Sequence, residues 1–155
     1  MNTITRRELL ARLGLTAAAV SLSPTAHAIG EPPVSAARLV LPGLDDPRPG
    51  ALEAILREVA ENSSVDPLLE IPSVDPESDL IFSWPFLSLI GDRGFDPMSE
   101  TAVANLRLYL REGGFLFIDD ATGVRDSDFD RSVRRDLARI LPGSKVARIG
   151  REHAI

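Results

Sequence analysis

Gly113-Gly114-Phe115-Leu116-Phe117-Ile118-Asp119-Asp120 is the stretch whose reading decides the fold. Two glycines end an amphipathic helix, four apolar residues follow without a polar break, and two carboxylates come directly after them. A short apolar run bounded by turn signals and preceded by a helix predicts a strand over 115–118, buried on both faces of a parallel sheet. Ligands of open α/β sheets sit outside the carboxyl ends of the strands. Asp119 and Asp120 therefore stand where binding or chemistry would be placed.

Upstream, Ser99 is placed to cap a helix, with Glu100 in the first turn, where the helix dipole favours an acid. Ala102, Val103, Leu106 and Leu110 form its apolar face to about Glu112, and Gly113 is its left-handed terminator. Leu80-Ile81-Phe82-Ser83-Trp84 predicts a strand closed by Pro85, with Phe86–Ile90 continuing as apolar backbone to Gly91. Trp84 is a strand-end packing residue or a stacking surface for a ligand. The loop 91–97, with Asp92, falls at the carboxyl edge of the sheet and joins Trp84 and Asp120 as a candidate ligand-binding element.

Towards the N-terminus, Arg38-Leu39-Val40-Leu41 predicts a short strand stopped by Pro42-Gly43. Leu52, Ile55, Leu56 and Val59 repeat at helical spacing and predict a helix over about 50–61. A further short strand is expected at 68–71. Downstream, Ser127 or Asp128 caps a helix whose apolar face is Phe129, Val133, Leu137, Ile140 and Leu141. Arg131, Arg134, Arg135 and Arg139 line its other face, solvated or paired with nearby acids in preference to forming a phosphate site. Asp126-Ser127-Asp128-Phe129-Asp130 starts like a calcium loop, but Arg131 stands where glycine is needed and Leu137 where the bidentate glutamate belongs. Pro142-Gly143 breaks the helix, and 145–149 is expected to be a final strand. Alternation of strands and helices with short connections predicts a three-layer α/β fold with a mainly parallel sheet.

The 155 residues suffice for one domain and one core, and 44% hydrophobic with 26% charged residues is ordinary globular usage. The chain has no Cys, which excludes a disulfide framework, a thiolate nucleophile and a sulfur-based zinc site. A net charge of −6 argues against nucleic acid and anionic membrane surfaces as partners.

Residues 1–28 have the order of an export signal. Thr5-Arg6-Arg7-Glu8-Leu9-Leu10 resembles the twin-arginine motif, with Arg6 and Arg7 as its signal residues. Leu13–Leu22 is an apolar segment too short to span a bilayer, and Ala26-His27-Ala28 is a small-x-small cleavage site with Ala26 and Ala28 as its small residues. Cleavage would remove Arg6, Arg7, Arg12 and Glu8. That leaves 14 basic against 22 acidic residues, a net −8, with His153 as the sole histidine. The expected partner is the twin-arginine export machinery, the expected location periplasmic or otherwise exported, and no membrane span remains after signal removal. Residues 29–36 form a lead-in, and 37–155 the α/β domain.

Leu80–Leu87, Asn105–Leu110 and Gly113–Asp120, with Phe129-Asp130-Arg131, Arg134-Arg135 and the terminal Glu152-His153-Ala154-Ile155, resemble the bacterial domain of unknown function 4159 family. That family groups with class I glutamine amidotransferase-like folds. The resemblance covers roughly 36–155 and implies a flavodoxin-like sheet. It also implies further strands beyond Ile155, so that this chain is a fragment or a shortened member. It brings no activity. Active amidotransferases carry a Cys on the turn after a strand like 115–118, and here that turn holds Asp119, Asp120 and Ala121, so the thiolate mechanism is not available.

Three functions remain open. The first is a non-catalytic exported domain that binds a ligand or a cell-envelope protein, with no cofactor. The second is a metal-dependent hydrolase in which Asp119 and Asp120 hold a divalent metal and His153 serves as ligand or general acid/base. Adjacent strand residues point to opposite faces, so the two acids share one metal only if the chain turns between them. The third is assembly with another protein through an open sheet edge.

Overall fold

The computed structural model describes residues 33–150. The export-signal residues Arg6, Arg7, Ala26 and Ala28, and also His153, lie outside the described residues. Four parallel strands make one sheet: β1 (Ala36–Leu39), β2 (Ser73–Val74), β3 (Phe86–Gly91) and β4 (Phe115–Asp120). Among the described residues three α-helices accompany them: α1 (Ala51–Asn62), α2 (Glu100–Arg111) and α3 (Asp128–Ile140). The strand order is β2-β1-β3-β4. The chain thus steps one way from β1 to β2 and the other way from β3 to β4, which is the flavodoxin-like order with its switch point between β1 and β3. Reversal of direction puts the helices on opposite faces. Leu52 and Leu56 of α1 pack with Ala36, Phe86 and Ile71 on one face. On the other, α2 and α3 enclose the main core with Ala37, Leu39, Leu87 and Leu89. The fold is three-layered α/β, as the sequence predicts.

The helices form where expected. The Ser99 hydroxyl caps α2 by accepting from the Ala102 amide, and the Ser127 hydroxyl caps α3 by accepting from the Asp130 amide. Gly113 takes the left-handed φ of 96° that ends α2. Tyr109, near the end of α2, is almost fully buried. Its hydroxyl reaches the Pro85 and Phe115 carbonyls at 2.9 and 3.0 Å, which ties the helix to the starts of β3 and β4.

The strands depart from expectation in five places. The stretch 80–84 is not a strand. Asp79–Ser83 is a 3₁₀ turn whose N-cap hydroxyl, from Ser78, accepts from the Leu80 amide, and only Ile81 of its apolar residues is buried. Pro85 has no amide to give a ladder, and the strand begins after it, at Phe86. No helix connects β2 to β3. The edge strand β2 lies at Ser73–Val74 rather than 68–71, because the Pro72 and Val74 carbonyls are the acceptors for the amides of Arg38 in β1 and of Val40 just after it. Strand β1 starts two residues early, since the small Ala36 and Ala37 let β1 lie in register with Phe86 and Leu87. Residues 145–149 form no strand and are exposed. Finally, β4 is not buried on both faces. It pairs only with β3 among the described strands, and Phe115 and Phe117 stand 53% and 36% exposed on the α1 side, stacked beside Phe86. No helix among the described residues is long and apolar enough to cross a membrane.

Candidate functional site

The carboxyl ends of β1, β3 and β4 lie together because the strands are in parallel register, with Ile90 beside Asp119 and Gly91 beside Asp120. Three loops emerge there. Gly91 has no room for a side chain: a Cβ would lie 2.2 Å from the Phe129 ring and 2.9 Å from Leu44. Its bare backbone lets α3 and the β1 loop close over the end of β3.

Asp119 and Asp120 both reach this edge, but they diverge as strand geometry requires. Asp119 accepts from Arg48 of the β1 loop at 3.0 Å. That loop is held in turn by Asp46, which accepts from the Arg48 amide at 2.8 Å and pairs with Arg38 of β1 at 3.1 Å. Asp120 turns to the α3 side. One of its oxygens accepts from the Thr122 amide and hydroxyl at 3.0 and 2.6 Å, and the other from the Ser127 hydroxyl at 2.6 Å. Partial burial works to raise the Asp120 carboxyl. The hydrogen bonds from Ser127 and Thr122, with the Arg48 charge, outweigh it and hold the group below the usual carboxylate range. Since Ser127 also caps α3, Asp120 fixes the start of that helix.

The remaining candidates separate. Trp84 sits at the opposite, amino end of β3, where it closes the 3₁₀ turn and packs on the core. Asp92 is exposed and accepts from its neighbour Arg93 at 2.9 Å, a bond that lowers its pKa. Among the described residues, no three His, Cys, Asp or Glu side chains gather closely enough to hold a metal ion.

What the strand ends do form is a cleft of about 680 Å³ at the switch point. Pro42 and Gly43 after β1 make one wall, and Gly94, Phe95 and Asp96 after β3 make the second. Asp128, Arg131, Ser132 and Arg135 on α3 make the third. The β3 loop is bolted to α3 at three levels. The Ser132 hydroxyl accepts from the Phe95 amide and donates to its carbonyl, at 3.1 and 3.2 Å. Arg135 donates to the Phe95 carbonyl at 3.0 Å and to Asp136 at 2.9 Å, with its guanidinium carbon 5.6 Å from the Phe95 ring centroid. Asp136, 1% exposed, also accepts from Arg139 at 2.6 Å and from the Met98 amide at 3.3 Å. Arg139 donates to the Met98 carbonyl at 2.7 Å.

Ser132 and Asp136 do not stand out in the sequence as site residues. The usable signal is positional: with Phe129, Val133 and Ile140 they fall on the buried stripe of α3 rather than its outer face. The arginines of α3 do pair with acids: Arg131 with Asp128, Arg134 with Asp130, and Arg135 and Arg139 with Asp136.

No curated protein matches the chain. Residues 37–155 match the model of a family described as Domain of unknown function (DUF4159), a span running from the second residue of β1 through all three layers of the fold, and the chain belongs to that family.

Proposed function

We propose that this is an exported protein whose α/β domain binds a small polar ligand without catalysis, in the cleft at the switch point. The observation that carries the reading is the cleft itself. Its place is where open α/β sheets take ligands, and its walls are braced before any ligand arrives. The non-catalytic part rests on the state of the acids. Both oxygens of Asp120 are engaged in holding the α3 loop, Asp119 is turned to the other face against Arg48, and the chain contains no Cys. The same divergence weakens a shared metal for the two acids and with it the hydrolase reading.

A thermal-shift screen of the chain from Ile29 tests this, using small polar molecules and the chlorides of Mg²⁺, Mn²⁺, Ca²⁺ and Zn²⁺, with and without EDTA. Stabilisation by an organic ligand, insensitive to chelator, is the expected result. A metal-dependent rise that EDTA reverses and Asp120→Asn abolishes would replace this reading with the hydrolase. For export, exchanging Arg6 and Arg7 together for Lys should retain the protein in the cytoplasm of an expressing bacterium. Unchanged export would remove the twin-arginine part.

The open face of β4 favours a second reading, assembly with an envelope protein. Phe115 and Phe117 are large apolar groups left uncovered beside Phe86, and such surfaces mark contacts. A photo-cross-linker placed at position 115 in exporting cells should then trap one partner. Trapping of none would leave the cleft as the functional surface.

A further inference from the structure

Resting on the cleft reading, we propose that the ligand presents an oxyanion, a carboxylate or a phosphate group, to Arg135, with Arg131 as the second contact. Arg135 is fixed in place before a ligand arrives. One terminal nitrogen makes both of its hydrogen bonds, to the Phe95 carbonyl and to Asp136, and the Phe95 ring lies under the guanidinium. Its Nε is buried with no hydrogen-bond partner, and among the described residues the other terminal nitrogen has none either. Unsatisfied buried donors are uncommon in native folds. The free terminal nitrogen, on a guanidinium held in one orientation, is suited to an acceptor oxygen and loses little freedom in binding it.

The local charge agrees. The buried Asp136 is shared by Arg135 and Arg139, and Arg139 is also paired with Glu100, so Arg135 itself is answered only by a share of one carboxylate. Arg131 lies one turn earlier on α3 and lines the same cleft. Its partner Asp128 is 74% exposed, and a surface pair of this kind exchanges readily for a better acceptor. Asp96 and Asp128 are also in the lining. They would repel a bare polyanion but accept from hydroxyl or amino groups. The chemistry that fits is therefore one oxyanion carried on a small hydroxylated or aminated frame.

Isothermal titration of the purified protein at constant ionic strength separates the sources, with inorganic phosphate, glycerol 3-phosphate, gluconate and uncharged sorbitol as probes. Saturable binding of glycerol 3-phosphate or gluconate, tighter than sorbitol by about tenfold or more, is expected, since a hydrogen bond to a charged group is worth roughly that factor. Preference for the first indicates a phosphate, for the second a carboxylate. Arg135→Gln should remove this preference and Arg131→Gln reduce it about threefold. Arg135 also holds the Phe95 carbonyl, so should Arg135→Gln fail to fold, Arg131→Gln against Asp96→Asn decides. The first must weaken anion binding, and the second must leave it equal or tighter. Anion binding that is unchanged in Arg131→Gln and Arg135→Gln overturns the proposal. Saturable binding of sorbitol alone overturns it while the cleft reading stands, and binding of no probe also overturns it.

Discussion

The two faces of the sheet are built from the same strands and finished to different standards. On the α2/α3 face, Leu87, Leu89, Leu106 and Phe129 are almost wholly enclosed, and the buried Asp136 is met by Arg135, Arg139 and the Met98 amide, although the Arg135 Nε finds no partner among the described residues. On the α1 face a single helix among the described residues covers β1 and the start of β3. Among the described residues, Ser88 is buried there with an unpaired hydroxyl, and Phe115 and Phe117 stay in the open. The difference follows from topology. Helices α2 and α3 both cross on one side, because β3, β4 and the chain after them progress in one direction, whereas the opposite step from β1 to β2 places only α1 on the other. Rigidity is therefore concentrated on the side that carries the cleft, and exposed apolar surface on the side that does not.

The largest effects should come from the closed face. Phe129→Ala, at a ring that is 1% exposed and seated over Gly91, should cost more than any other change, ~3–5 kcal/mol. Asp136→Ala would leave Arg135 without its carboxylate, Arg139 with Glu100 alone and the Met98 amide unmet, and with both guanidiniums partly exposed the cost should be about 1–3 kcal/mol. Urea unfolding followed by circular dichroism measures both. Either variant losing under about 1 kcal/mol would mean that the closed face is not the stable half.

The next effect probes the joint between sheet and cleft. Asp120→Ala should cost about 1–3 kcal/mol at neutral pH by freeing Ser127 and Thr122. The sign with pH is set by the folded carboxyl lying below its usual value. The stabilisation is present above the unfolded carboxylate's pKa of about 3.9 and is lost as pH falls through the lower folded value. The gap between wild type and variant should therefore be full at pH 7 and close in strong acid. A gap independent of pH would show that packing rather than the ionised carboxylate holds the loop.

The helices were the legible part of the fold, on both faces of the sheet. Helical periodicity, with Ser99 and Ser127 three residues ahead of the amides they cap, locates α2 and α3 to within a residue. An amphipathic repeat and a capping hydroxyl are local properties and survive any tertiary context. The strands are less readable because their limits are set by partners. Leu80-Ile81-Phe82 has the composition of a strand, yet Ser78 and Pro85 turn it into 3₁₀. Strand β2 is two residues long and exists through the carbonyls it offers to β1. The run 115–118 was legible as a strand, but whether its two faces are covered depends on where it falls in the sheet. At the site, Asp119 and Asp120 were legible as carboxyl-edge residues with structural roles, but not their partners, which are Arg48 for the first and Thr122 and Ser127, rather than an arginine of α3, for the second. Asp136 escaped notice because an acid among arginines on a helix reads as a solvated pair, unless its place on the buried stripe is weighed first.

The smallest expected effect is also the most diagnostic of the open face. Phe115 stacks on Phe86 with ring centroids 5.2 Å apart and planes inclined by 19°, while more than half of it faces solvent. Phe115→Ala should therefore forfeit little more than the stacking term, about 0.5–1.5 kcal/mol, well below Phe129→Ala in the same chain. A loss approaching that of Phe129 would mean that the face is covered in solution. Protein concentration then distinguishes the cover. A melting temperature that rises with concentration in the wild type, and no longer does so in Phe115→Ala, assigns it to a second copy, because association stabilises by mass action. A large loss independent of concentration assigns it to another segment of the same chain folded against β4.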